Sequence, residues 1–391
     1  MTRKTTTFSK FNILKLVIVV SSILLPTIAL AELQRIPEPP PINAVGYILI
    51  DASSGEIIAK NNANERMEPA SLTKMMASYI IANAVKQGKA KLTDEVKISK
   101  KAWQMKGSRM FIEVGKVIEF EKLLIGMIVQ SGNDATIALA EHIAGDEESF
   151  VKLMNDAAKQ LGMFDTHFVN ATGLPHDEHY STPRDMTILG LALIRDFPEH
   201  YEYYSRKEYT YAGIKQFNRN QLLWRDESVD GIKTGHTESA GYCLVASARR
   251  GNMRLISTVL GTKSKDARSS ESQKLLTYGF RFFETHKLYS ANDELTQVKI
   301  WKGSSDALPL GIDQDLYITI PRGQYDKLDA SMSINSKIVA PVTKGDVQGN
   351  VIINLGTKQV AKRDLISLSD VSQGSFWHNL IDSINLWLED L

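Results

Sequence analysis

The stretch Glu68-Pro69-Ala70-Ser71-Leu72-Thr73-Lys74 decides how the rest of the chain is read. Pro69 suits the first helical position, where its missing N–H is no loss, and apolar residues continue through Leu72, Met75, Met76, Tyr79 and Ile80 to a stop at Gly88. The pattern predicts a helix whose opening turn carries Ser71. Ser71 and Lys74 are three residues apart, so they share a face at the helix end where unpaired N–H groups and the positive dipole end gather. A serine hydroxyl becomes a nucleophile when a nearby base takes its proton, and a lysine kept neutral by burial or by a second cation is such a base.

Alone, Ser-x-x-Lys is a weak signal. It recurs at Ser149-Phe-Val-Lys152, where no helix-start signal is evident. What lifts the first copy above chance is its ordered company: Ser131-Gly132-Asn133 at a helix junction, then Lys233-Thr234-Gly235 opening a strand. Taken singly, the second motif reads as an N-cap turn and the third as a strand end. In this order they supply three hydroxyls (Ser71, Ser131 and Thr234), two amines and an amide, the parts of an acyl-transfer site.

With these motifs, and with Asn218-Arg219-Asn220-Gln-Leu-Leu-Trp224 running on through Val229-Asp-Gly-Ile-Lys-Thr-Gly-His236, the chain resembles the D-alanyl-D-alanine carboxypeptidases of the low-molecular-mass penicillin-binding protein group. The resemblance implies an α+β protein: a serine β-lactamase/transpeptidase-like catalytic domain, with helices beside an antiparallel sheet, then a small all-β domain and a C-terminal amphipathic helix. It implies a peptidoglycan stem peptide ending in D-Ala-D-Ala as substrate, acylation by β-lactams, a part in cell-wall maturation and cell shape, and no cofactor or metal. It places the protein at the periplasmic face of the bacterial inner membrane.

Carried over motif by motif, the resemblance gives Ser71 as nucleophile and Lys74 as its base, its pKa lowered by the cation of Lys233. Ser131 would relay a proton to the leaving amine, and Asn133 would orient Lys74 and hold a substrate amide. Lys233 and Thr234 would bind the terminal carboxylate, with Arg219 a further candidate; Gly235 would leave room for the substrate backbone. The backbone N–H groups of Ser71 and His236 would form the oxyanion hole.

The rest of the chain fits this frame. Residues 1–31 hold Arg3, Lys4, Lys10 and Lys15 and no acid, followed by the apolar run from Leu16 to Leu25, Pro26 and Ala29-Leu30-Ala31. That is the pattern of a secretory signal peptide cut before Glu32, the alternative being an uncleaved anchor helix. Removing those four cations takes the formal net charge of +1 to −3, so nothing in the charge recommends nucleic acid as a partner. The sole cysteine, Cys243, permits no disulfide within the chain and reads as a small buried strand residue.

After a proline-rich leader at 36–41, a hairpin is expected around the turn 51–55, then a mainly helical region from 92 to 197. Adjacent antiparallel strands should follow near 233–235, 242–248 and 253–260, closed by a helix ending near Glu284. Short runs at 298–301, 316–320, 331–334, 337–340 and 350–355 suggest the all-β domain. The expected divisions are residues 1–31, 32–285, 286–372 and 373–391.

In the last division Trp377, Leu380, Ile381, Ile384, Trp387, Leu388 and Leu391 share one helical face. Such a helix lies in a membrane interface or docks on protein, and it contains no Lys or Arg to attract anionic lipid.

His176-Asp-Glu-His179 offers two histidines without a third ligand and reads as a solvated loop; His142 and His167 read as structural. A serine β-lactamase is the nearest rival reading. No Glu-x-x-Leu-Asn-like segment follows the second motif to supply its deacylating carboxylate. A D,D-endopeptidase shares every motif, and a peptidoglycan-binding scaffold with a decayed site would not keep all of the polar residues.

Overall fold

The computed structural model describes residues 36–389, and side chains to residue 388. The expected signal peptide and Leu391 lie outside the described residues.

A five-stranded antiparallel sheet is built, in spatial order, from Ile57–Asn61, Gly46–Asp51, Met253–Thr262, Gly241–Arg250 and Val229–Thr237. Its central strands read as nearly continuous apolar runs because both faces are covered. Lys265–Phe282 packs on one face so closely that a Cβ on Gly279 would lie 2.5 Å from Leu255 Cδ1. Pro183–Asp196 covers the other, where Thr187 Oγ1 meets Thr258 Oγ1 at 2.6 Å. Cys243 sits in this sheet, fully buried, and burial pushes its thiol up to about 11.

Beside the sheet stands a helical lobe made of Thr73–Lys86, Phe120–Val129, Asn133–Ala144 and Glu147–Gln160, packed through Met75, Met76, Phe120, Leu124, Phe150 and Met154. The region from 92 to 197 is less uniformly helical than expected. It also contains a ribbon of Glu95–Lys97 with Val117–Glu119, whose three-residue strands are too short to show a period. The helix bearing the second Ser-x-x-Lys does have a start signal: Asp146 caps it and accepts the Ser149 N–H at 2.7 Å. Ser149 and Lys152 are exposed there.

Phe283–Tyr289 pairs with Leu316–Pro321, and a second five-stranded sheet runs Thr296–Lys299, Ala307–Gly311, Lys358–Ser367, Val347–Leu355, Leu328–Ile334. Its core holds Leu308, Leu310, Val351, Ile353 and Leu365. The expected strand at 337–340 is reduced to a single bridge between Val339 and Trp301, since Pro341 follows and has no N–H to extend a ladder.

The last helix, Phe376–Glu389, turns its polar side inward: Asp382 is 8% exposed and accepts the Lys302 N–H at 2.5 Å. Trp377, Ile381, Ile384 and Trp387 are 53–70% exposed on the opposite side. Among the described residues no helix is long and apolar enough to cross a membrane.

Candidate active site

Ser71 lies one step ahead of the helix that the pattern predicts. A 3-10 turn, Ala70–Leu72, precedes the α-helix, with Ala70 at φ +47° and Pro69 in the capping position. Lys74, in the first α-turn, is 1% exposed and points back, its Nζ 3.2 Å from Ser71 Oγ. The same nitrogen donates to the Thr172 carbonyl at 2.5 Å. Burial, and secondly the Arg219 cation, bring the Lys74 pKa down to about 7. The neutral amine is therefore well populated near neutrality, although the second cause is Arg219 rather than the expected Lys233.

The other two motifs form a second hydroxyl–amine pair. Ser131 occupies the left-handed region at φ +64° between two helices, a conformation rare outside glycine and common where a side chain is held for function. Its Oγ accepts from Lys233 Nζ at 2.9 Å. Lys233 is 3% exposed, and burial followed by the Lys74, Arg219 and Arg268 cations holds its pKa well below the usual range. Asn133 donates through Nδ2 to the Lys106 carbonyl at 2.6 Å, while its buried Oδ1 has no partner. The expected role in orienting Lys74 has no bond behind it; Thr172 does that work, and the free Oδ1 is left as an acceptor.

These groups surround a cleft of about 580 Å³, lined by Ser71, Ser131, Asn133, Thr234, Gly235 and Arg268 among others. The Val229–Thr237 strand forms one wall, and a Cβ on Gly235 would lie 2.8 Å from the Pro69 carbonyl oxygen. His236 also lines the cleft, with its exposed ring stacked 4.0 Å from Tyr242. Arg219 reaches Ser108 Oγ at 2.8 Å. None of the cleft-lining described residues bears a carboxylate. Arg219 and Arg268, both on the cleft wall, make the site an attractive seat for a substrate carboxylate.

Several residues that build the site carry no sequence signal. Arg268, 4% exposed on the helix behind the strand, donates to the Gly235 carbonyl at 3.1 Å and the Arg219 carbonyl at 3.3 Å; burial brings its pKa down to about 10. Buried Asp134 accepts N–H bonds from Met110, Phe111, Ile112 and Ala135, fixing the loop that meets Asn133. Gly173 at φ +83° lies so close to the Ser71 turn that a Cβ would be 1.9 Å from the Ala70 carbonyl oxygen. Gly173→Ala is therefore expected to cost at least about 2 kcal/mol, from the left-handed backbone plus the overlap. Thermal melting measures this; wild-type stability would show that the loop yields freely.

His179 corrects the solvated-loop reading of 176–179. It is 2% exposed; its Nδ1 accepts the Val169 N–H at 3.0 Å, so its Nε2–H donates to Thr73 Oγ1 at 2.8 Å. Burial, helped by neighbouring histidines, lowers its pKa to about 4. His142 beside Asp94 and His167 against the Glu178 carbonyl hold structure, as expected. Among the described residues no three His, Cys, Asp or Glu side chains are grouped to hold a metal.

Residues 33–264 match the model of the D-alanyl-D-alanine carboxypeptidase family, and residues 283–373 match that of the penicillin-binding protein 5 C-terminal domain. D-alanyl-D-alanine carboxypeptidase DacA of Escherichia coli K12 is 47% identical over 359 residues, covering 90% of this chain and 89% of the relative. DacC of the same strain is 44% identical over 355 residues, 89% of each chain. Penicillin-binding protein 5 from Haemophilus influenzae superposes with a TM-score of 0.84 at 44% identity, over 86% of this chain and all of that one. Penicillin-binding protein D2 from Listeria monocytogenes, solved in an ampicillin-bound form, matches 62% of this chain and 100% of its own with a TM-score of 0.58 at 31% identity. Together with the fold, these likenesses establish that the chain belongs to the D-alanyl-D-alanine carboxypeptidase family of serine peptidases.

Proposed function

We propose that this serine carboxypeptidase removes the terminal D-alanine from peptidoglycan stem peptides through an acyl-enzyme on Ser71. The observation that carries the reading is Lys74 Nζ at 3.2 Å from Ser71 Oγ with a pKa near 7. Neutral Lys74 takes the hydroxyl proton as Oγ attacks the penultimate D-Ala carbonyl. The backbone N–H groups of Ser71 and His236 receive the developing oxyanion. Collapse breaks the C–N bond; Ser131, bonded to Lys233, passes its hydroxyl proton to the leaving amine and takes back the proton that Lys74 had accepted from Ser71. Thr234, Arg219 and Arg268, which line the cleft, receive the terminal carboxylate, whereas Lys233, expected there from its motif, is buried and bonded to Ser131 and the Thr234 carbonyl; Asn133 Oδ1 accepts a substrate N–H. Water then releases the shortened peptide.

A β-lactam presents a carboxylate and a strained amide to the same groups and acylates Ser71. Class A β-lactamases speed hydrolysis of that adduct with an additional glutamate acting through water, and the cleft-lining described residues offer no such carboxylate. The test is to give the purified chain a pentapeptide ending in D-Ala-D-Ala and, separately, a chromogenic β-lactam. D-Ala release with slow β-lactam turnover is expected. Fast β-lactam turnover without D-Ala release would overturn the assignment.

The leader 1–31 directs export, residues 32–285 and 286–372 act as catalytic and stalk domains, and residues 373–391 seat the enzyme on the periplasmic face of the inner membrane. The outward tryptophans support the last point, and the absence of Lys and Arg there makes the attachment apolar rather than electrostatic. Sedimentation with lipid vesicles should therefore persist at high salt and vanish on deletion of residues 374–391. Release by salt alone would argue for a different attachment.

A further inference from the structure

We propose that Asn170 is a positioning residue for the proton transfer, folding the loop 170–174 so that the Thr172 carbonyl holds the Lys74 amine against Ser71. This rests on the reading of Lys74 as the base. Asn170 Oδ1 accepts from the N–H groups of Thr172, Gly173 and Leu174 at 3.1, 2.7 and 3.2 Å and from the Thr172 hydroxyl at 3.0 Å. Its Nδ2 donates to the Leu174 carbonyl at 2.9 Å. One side chain thus fixes the backbone on both sides of the Thr172 carbonyl, as asparagine does in tight turns.

The loop is anchored from outside as well. The Ala171 N–H donates to Glu147 Oε1 at 3.1 Å, Glu147 Oε2 pairs with Lys101 at 2.8 Å, and His179 receives the Val169 N–H. Those contacts place the strand of chain leading into the loop; Asn170 sets the direction of the carbonyl that follows.

The consequence for chemistry is geometric. A lysine amine sits on a stem with four rotatable bonds, and when neutral it has one lone pair to offer. With one N–H committed to the Thr172 carbonyl, that lone pair has far fewer orientations, and Ser71 Oγ lies within reach of it. The carbonyl dipole also favours the ammonium form, working against burial. The charged and titratable groups acting on Lys74 are Arg219, Asp134, Lys233 and His179; Glu147, Lys101 and His176 flank the loop itself.

Asn170→Ala, Asn170→Asp and Lys74→Met test this in the full chain, with acylation by a fluorescent penicillin and D-Ala release followed across pH and thermal melting run alongside. Asn170→Ala is expected to lower kcat roughly 10- to 100-fold with little change in KM, the cost of a misplaced reacting group. The acid limb of its pH profile should move to lower pH, because the acceptor that favoured the ammonium has gone. Asn170→Asp keeps an acceptor for the same four donors but loses the Nδ2 donor to the Leu174 carbonyl, so it should restore part of the rate, with the limb at or above its wild-type position. A wild-type rate for Asn170→Ala, a reduced rate with an unmoved limb, or no rescue by Asn170→Asp would overturn the proposal. Undiminished acylation by Lys74→Met would instead overturn the reading of the base, whatever Asn170 does.

Discussion

Ser71→Ala should lower kcat/KM for D-Ala release roughly 10⁴- to 10⁶-fold, the range seen when the nucleophile of a serine hydrolase is removed. The expectation follows from how little else this hydroxyl does. Ser71 Oγ contacts Lys74 Nζ, and Lys74 keeps its bond to the Thr172 carbonyl when the hydroxyl is gone. The fold should accordingly be undisturbed, with an unchanged melting temperature, and the cationic cleft should still bind the peptide carboxylate. Loss of turnover with retained binding separates a chemical role from a structural one. A variant that still releases D-Ala at even a hundredth of the wild-type rate would require another nucleophile.

Lys74→Met should cost about 10²- to 10⁴-fold in acylation at neutral pH, the usual contribution of a positioned base. Methionine fills much of the same buried slot without a charge to desolvate but leaves the Thr172 carbonyl without its donor, so stability should change little as activity falls. The wild-type pH profile gives the sharper signature. Lys74, with a pKa of about 7, is protonated below that pH and has no lone pair to accept the Ser71 proton. Acylation should thus climb tenfold per pH unit below 7 and level off above it, and that limb should be absent from Lys74→Met. An acid limb that survives the substitution would belong to another group.

The parts of the site that were legible in the sequence are those whose chemistry is written in short local patterns. Ser71 with Lys74, Ser131 with Asn133, and Lys233-Thr234-Gly235 each need short fixed spacing along the chain, and spacing survives in a string of letters. Thr172 could not be found this way, because it acts through its carbonyl, which every residue possesses. Arg268 and Asp134 act across elements, on the Gly235 and Met110 backbone, and nothing in their own neighbourhood betrays it. Asn133 shows the converse: its motif brings it to the cleft wall, but its Nδ2 donates to the Lys106 carbonyl rather than to Lys74.

The fold shows the same division. The strands 242–248 and 253–260 announce themselves because both faces are buried, and the terminal helix because its apolar face is not. Lys358–Ser367 carries no strand signal because Lys358, Lys362, Arg363 and Asp364 interrupt any apolar alternation in a strand whose first half faces solvent. The 3-10 turn under Ser71 is illegible for another reason. Pro69 and the following apolar positions suit either helix type, and only the packing of Gly173 and Gly235 against Pro69 and Ala70 singles out the tighter turn.

The most direct measurement is mass spectrometry of the intact chain and of its peptides, quenched soon after mixing with benzylpenicillin. One penicilloyl group per chain, on the peptide that carries Ser71, is the expected result. An adduct on Ser131 or any other residue, or a chain that never gains the mass, would contradict an acyl-enzyme built on the Ser71–Lys74 pair.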